Sequence, residues 1–331
     1  MSRFVHNSAQ ESGQPSLTDP VIMVEVVRSG FVEGHHRGSA VALSPAGEVL
    51  VAYGDVTSPM FPRSCNKPLQ AAAMVRLGLQ LPLPLLALVA SSHSGETMHV
   101  DGVRQILDDA GLDESALQTP ADWPLDDDAR EAVVREWGSK SSLLMNCSGK
   151  HAGMLATCVA NGWPVDTYTE PDHPLQRAIG ATFAELTGEP VARVGVDGCG
   201  APLLSTSLTG LARAFTGLAL ASPESAEGQV AAAIRQHPQL VSGSARDEAA
   251  LLAALPGAIG KAGAEASYAV ALADGTAVAL KIDDGAYRAR PVAMAAVLQQ
   301  LGVSHPVLDE QVRAPVFGAG RQVGEVRAVL A

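Results

Sequence analysis

Arg63-Ser64-Cys65-Asn66-Lys67-Pro68 is the point at which the chain changes its periodicity, and the fold is read outward from it. On its N-terminal side, VIMVEVVRSG, SAVALSPAG and EVLVAYGD alternate or run apolar between Gly, Pro and Asp breaks. That pattern predicts strands at 21–27, 38–43 and 49–53. On the C-terminal side, apolar residues recur at three- and four-residue spacing near 66–78, 97–110, 126–137, 148–161 and 173–187, which predicts helices. A short strand is expected at 191–197, followed by the glycine-rich turn GCGAP and a helix near 202–216. Alanine-rich helices are expected at 224–236 and 245–254. Strands return at 267–272 and 277–282, joined by a turn at 274–275, and a helix near 291–301 closes the regular part. Strands at both ends with helices between them predict a mixed α/β (α+β) chain: an antiparallel sheet with a helical region alongside.

The bulk properties narrow the classes of function. A chain of 331 residues, 47% of them hydrophobic, can bury a substantial core. Its net charge of −12, with no Lys/Arg-rich block, excludes a nucleic-acid partner, because neutralising phosphates needs a basic patch. Residues 1–20 lack an apolar signal core and read as a disordered leader. Residues 21–331 then form a single catalytic domain, with a helical subdomain over about 66–255. The apolar run 81–90 contains Pro82 and Pro84 and falls short of the roughly 20 residues a membrane span needs. Cys65, Cys147, Cys158 and Cys199 are too few for a disulfide scaffold, so reduced thiols in a cytoplasmic enzyme are expected.

Chemistry enters at Ser64 and Lys67. A serine hydroxyl is a poor nucleophile until a base takes its proton. One helical turn on, a desolvated lysine amine returns to the same face and can be that base. Pro68 is tolerated only in the first turn of a helix, so the helix should start close to Ser64, near the positive end of its dipole. A Ser-x-x-Lys match alone is common by chance. Two further segments add to it. Ser91-Ser92-His93-Ser94-Gly95-Glu96 follows the apolar run, and Gly260-Lys261-Ala262-Gly263 precedes a predicted strand. This order resembles the serine β-lactamases and penicillin-binding proteins, which use Ser-x-x-Lys, a serine loop and a Lys-x-Gly strand. Ser94 stands where that pattern usually has Asn, and Ala262 where it often has a hydroxyl. Gly263 would let a substrate approach the strand.

Asn146-Cys147-Ser148-Gly149-Lys150-His151 and Gly195-Val196-Asp197-Gly198-Cys199-Gly200-Ala201-Pro202 each place a thiol among small residues at a helix start. Thiolates are favoured there and bind zinc, but the spacing is equally that of core or turn cysteines. Taken in order, RSCNKPLQ, SSHSGE, NCSGKHAGM, VGVDGCGAP and GKAGAE resemble the Rhizobium etli-type L-asparaginases, often labelled asparaginase II, over roughly 21–330. The resemblance implies a serine β-lactamase-like fold, hydrolysis of L-asparagine to aspartate and ammonia, and a homodimer. It also implies two Ser/Lys pairs, Ser64 with Lys67 and Ser92 with Lys261, and a zinc ion on Cys147, Lys150 and Cys199 that tunes substrate binding. Either serine remains open as nucleophile. Arg63 is then either a fork for a substrate carboxylate or an ordinary ion-pair partner. Asp197 would meet the substrate ammonium or orient a zinc ligand, and His151, next to Lys150, is either a substrate-side residue of the site or a structural ring. His93 reads as structural. A β-lactam- or peptide-processing hydrolase of the same fold, or a non-catalytic zinc-binding protein, are the rival readings.

Overall fold

Three strands precede the Ser64 segment: β1 (Val21–Arg28), β2 (Phe31–Leu43) and β3 (Val49–Tyr53). The structure is a computed structural model that describes residues 17–330 apart from residue 137. The expected leader, residues 1–20, lies outside the described residues as far as residue 16; Leu17, within it, is buried against the core. β2 is longer than its apolar half suggests. Phe31–Gly34 pairs with β1 while largely exposed, and only from Gly38 does the strand run fully buried between β3 and β8 (Ala277–Ile282).

Six helices follow: α1 (Lys67–Arg76), α2 (Leu83–Val89), α3 (Thr97–Asp109), α4 (Asp127–Glu136), α5 (Ser148–Asn161) and α6 (Pro174–Thr187). The apolar run 81–90 becomes α2, buried beneath α3 and α5. Two glycines set how closely α5 lies on it. A Cβ at Gly149 would sit 2.5 Å from the Leu88 carbonyl oxygen, and one at Gly153 would sit 2.7 Å from Val89 methyls. Only a bare backbone lets α5 approach this closely.

The short ribbon β4 (Val194–Val196) and β5 (Pro202–Leu204) comes next. The predicted helix near 202–216 therefore starts late. Residues 202–204 extend as β5, and α7 (Leu208–Leu220) begins where the Ser207 hydroxyl accepts from the Gly210 amide as an N-cap. Then come α8 (Ala226–Gln236), the short α9 (Pro238–Val241), α10 (Asp247–Ala254), β6 (Ile259–Ala262) and β7 (Ser267–Ala271).

The chain does not close at α11 (Ala289–Gln300): α12 (Pro306–Gln311), β9 (Arg313–Gly318) and β10 (Arg321–Ala328) follow. Among the described residues these strands make one antiparallel eight-stranded sheet, ordered β6-β7-β8-β2-β1-β10-β9 with β3 on β2. β9 and β10 escape a period-two reading because they sit at one edge and are largely exposed. β7 and β8 are buried almost throughout, so both faces are covered there. α7 packs on β2, β7 and β8, and α11 on β1, β8 and β10. The mixed α/β class, with an antiparallel sheet and helices alongside, is thus as expected. Among the described residues no helix is long and apolar enough to cross a membrane. The segment 62–67 runs between the edge strand β6 and the helices, which sets the place of the chemistry.

Candidate active site

Arg63 opens the site in the left-handed region, at φ 52°, a conformation rarely adopted outside glycine. Residues Arg63–Asn66 form a tight turn that runs into α1, with Pro68 in its first turn as its ring requires. Ser64 therefore stands immediately before a helix N-terminus, 8% exposed. Among the described residues its hydroxyl takes part in no hydrogen bond.

Lys67 is buried, and its Nζ donates to the Ser91 carbonyl oxygen at 2.5 Å and to Ser92 Oγ at 2.9 Å. Lys261, on β6, is fully buried and bonds to both carboxylate oxygens of Glu248, at 2.9 and 3.2 Å, and to the Ala262 carbonyl oxygen. The contacts observed are thus Lys67 with Ser92 and Lys261 with Glu248, rather than Ser64 with Lys67 and Ser92 with Lys261. Lys261 still borders Ser64, because the Cys65 thiol donates to the Lys261 carbonyl oxygen at 2.9 Å. Gly263 closes this junction. A Cβ there would lie 2.8 Å from the Pro62 carbonyl oxygen and 3.2 Å from the Ser64 nitrogen. The bare position accommodates the chain's own backbone at Ser64.

The Ser92 loop is fastened by His93, whose backbone N–H donates to the Asn146 carbonyl oxygen and whose Nε2 lies 2.8 Å from Ser148 Oγ. Nδ1 accepts from the Gly95 amide, so Nε2 carries the proton. Burial, then the neighbouring His99, hold the ring neutral. His93 is a structural tie that brings the serine loop against the start of α5.

At that helix start the thiols gather. Cys147 and Cys199 are both buried and packed together with Met145 and Ala201, and Lys150 Nζ donates to Cys199 Sγ at 3.2 Å. The hydrogen bond from Cys147, and then the Lys150 and His151 side chains, hold the Cys199 thiol far below its ordinary range. The same bond, with burial, pushes Cys147 up. Burial alone would lower Lys150, but the Cys199 and Cys147 sulfurs outweigh it and raise this ammonium. His151 is completely buried behind Cys199, with Nδ1 2.7 Å from the Tyr168 hydroxyl and Nε2 lacking a well-directed partner. Among the described residues no group of three or more His, Cys, Asp and Glu side chains is placed to hold a metal ion. The Cys147, Lys150 and Cys199 set reaches three donors only by counting the lysine.

Arg63 and Asp197 join the two halves of the site. Asp197 Oδ1 accepts from Arg63 Nε at 2.9 Å and from Nη2 at 2.8 Å, so the ion-pair reading of Arg63 is the one seen. Nη1 faces Glu265 at 3.7 Å, and Glu265 is itself left-handed, at φ 56°. Three functional-looking residues escaped the sequence. Glu248 reads as a first-turn acidic residue of an alanine-rich helix. Asn66 donates to the Leu204 carbonyl oxygen while its Oδ1 lies buried without a partner, and Glu265 leaves no local signal. Two cavities, of about 640 and 430 Å³, lie beside α2–α3 and beside the β4–β5 ribbon, and neither is lined by a candidate residue.

The L-asparaginase II family model matches residues 24–328, nearly the whole chain and every segment just described. The chain belongs to the L-asparaginase II family. Membership makes it an L-asparaginase-like hydrolase, and Ser64, Lys67, Cys147, Lys150, Cys199 and Lys261 all fall inside the matched region. Comparison with curated proteins gives no match. Among solved structures the chain is similar to a β-lactamase from Mycobacterium bovis, at 18% identity and a TM-score of 0.47, covering 80% of this chain and 95% of that one. It is also similar to EstCE1, described as a hydrolase with promiscuous acyltransferase activity, at 11% identity and a TM-score of 0.38, covering 81% and 89%.

Proposed function

We propose that this member of the L-asparaginase II family hydrolyses L-asparagine to L-aspartate and ammonia, with Ser64 as nucleophile and Lys67 and Ser92 as its proton relay. The observation that carries the reading is the Lys67 Nζ contact with Ser92 Oγ, one turn from an unbonded Ser64 hydroxyl. Lys67 Nζ is anchored by two acceptors, Ser91 O and Ser92 Oγ, which hold it beside the serine loop.

Ser64 loses its proton to Lys67 as its oxygen bonds to the side-chain amide carbon of the substrate. Lys67 returns that proton through the Ser92 hydroxyl to the leaving nitrogen, and ammonia departs. Water then attacks the aspartyl-serine ester and gives one proton to Lys67, which passes it to the Ser64 oxygen as the ester bond breaks and aspartate is released. The positive start of α1 favours the negative charge that develops on the carbonyl oxygen. Arg63 is fixed by Asp197, and a substrate carboxylate would take the place of Glu265, 60% exposed, at its Nη1.

The Cys147, Lys150 and Cys199 set fits zinc in its donors. Two thiols and an amine converge, and Cys199 is poised as a thiolate. A metal held there would supply a Lewis-acid contact that fixes the substrate.

The test is ammonia release from L-asparagine and L-glutamine by the wild type, Ser64→Ala and Ser92→Ala, with and without added zinc. The expected result is wild-type release from L-asparagine, loss of about 1,000-fold or more in Ser64→Ala, and a smaller loss in Ser92→Ala. The contact with Lys67 equally favours Ser92 as nucleophile. A Ser92→Ala loss far exceeding that of Ser64→Ala would establish that second reading and end the first.

A further inference from the structure

Glu248 and Lys261 form an ion pair whose side chains are 1% and 0% exposed, and no local motif announces it. Removing two ions from water is costly, and apolar side chains of similar volume would fill the space without that cost. Stability alone therefore does not account for the pair. Its placement does. Glu248 Oε1 accepts from Lys261 Nζ at 2.9 Å and from the Ala262 backbone N–H at 3.0 Å, so one carboxylate grips both the side chain and the strand end. Lys261 in turn accepts the Cys65 thiol, and Gly263 abuts the Ser64 backbone. Through these bonds α10 fixes the β6 wall of the site.

We propose that Glu248 is the positioning residue that holds Lys261 as an ammonium in the β6 wall behind the Ser64 segment, so that Lys261 serves the hydrolysis as a fixed charge that keeps that wall in place while Lys67 serves as the base. The proposal rests on the reading of Lys261 as part of the hydrolytic site.

The charged and titratable groups acting on Lys261 are Glu248 from α10 and Lys67 and Cys65 from the Ser64 segment; Tyr268 on the neighbouring β7 is in turn faced by Asp247, Glu248, Arg290 and Cys65. Arg290 engages both oxygens of Asp247, at 2.5 and 2.7 Å, which leaves Glu248 as the carboxylate bonded to Lys261. Burial is the largest influence on Lys261 and lowers it, Glu248 opposes that, and Lys67 adds to the lowering. Removing the carboxylate charge lets Lys261 lose its proton at a lower pH, so activity should fail earlier as pH rises.

The experiment is the pH profile of ammonia release from L-asparagine by the full chain. It compares the wild type, Glu248→Gln, Glu248→Asp, Lys261→Met and the Lys261→Met/Glu248→Gln double variant, with folding followed by circular dichroism. Glu248→Gln should lower kcat about 100-fold with KM within about threefold. It should also move the alkaline limb down by about one pH unit or more. Glu248→Asp, which keeps the charge, should return the limb to its wild-type position. In the Lys261→Met background, Glu248→Gln should cost nothing further, because it acts through Lys261. That comparison stands even where Glu248→Gln alone does not fold. An unmoved alkaline limb with wild-type kcat, or a further loss of about tenfold in the Lys261→Met background, would overturn the proposal. A wild type that releases no ammonia would overturn the hydrolytic reading, and this proposal with it.

Discussion

Lys67 and Lys150 are both buried, both stand near a helix N-terminus, and they meet opposite partners. Lys67 bonds to two neutral oxygens, a carbonyl and a hydroxyl. Lys150 bonds to Cys199, a sulfur held toward its thiolate. Neutral partners leave an amine free to exchange protons, while a thiolate partner favours the ammonium. One motif, a lysine three residues after a serine or cysteine, thus yields a lysine on neutral oxygens near Ser64, the proposed relay, and a lysine on a sulfur at Cys147. The chemistry follows from the partner across the fold, and the spacing along the chain does not distinguish the two.

Substitutions that neutralise each lysine should break this contrast most visibly. Lys67→Met should lower kcat by about 1,000-fold with little change in KM, as expected when a proton-transfer group is lost. Lys150→Met should instead act mainly on KM, raising it about tenfold as the proposed metal set loses a donor. Equal kcat losses in the two variants would show that both lysines serve one step.

The pH dependence of zinc uptake sharpens the comparison. Lys150 and Cys147 are pushed above their ordinary values and Cys199 is held below its own, so a metal bound to this set displaces protons from the first two. Affinity should therefore rise as pH rises and fall as pH drops. Competition with a chelator at two pH values measures this, and a flat dependence would contradict the ammonium–thiolate picture.

Cys199→Ser should weaken zinc by about 10–100-fold with a smaller effect on turnover than Lys67→Met, read by metal content and by kcat. Cys158 belongs to neither cluster and is pushed up to about 11 by burial in α5. Cys158→Ala should leave kcat/KM unchanged within about twofold and cost about 1 kcal/mol in urea unfolding. A large activity loss there would mean that the sulfur region extends further along α5 than its contacts indicate.

Much of the fold and of the list of candidate residues was legible in the sequence. The strands β1, β3, β7 and β8 and the helices α3, α5 and α6 announce themselves by period, and Pro68 fixes the start of α1. The Ser64, Ser92 and Lys261 order and the two cysteine segments identified the residues that the fold brings together. The pairing among them was not legible. Lys67 reaches Ser92 across 25 positions and Lys261 reaches Glu248 across 13, and neither separation leaves a local pattern. β9 and β10 were missed for a related reason: β10 pairs with β1 at the opposite end of the chain and β9 pairs with β10, and their exposed faces carry no period-two signal. β5 was hidden because an apolar Pro-Leu-Leu run before a helix reads as part of that helix until its partner β4 is known.

The most direct test of Ser64 as nucleophile is peptide mapping by mass spectrometry of protein quenched in acid during turnover of L-asparagine. The expected result is an aspartyl ester on the peptide carrying Ser64, absent in Ser64→Ala. An ester on the peptide carrying Ser92, or ammonia release with no ester on either, would contradict it.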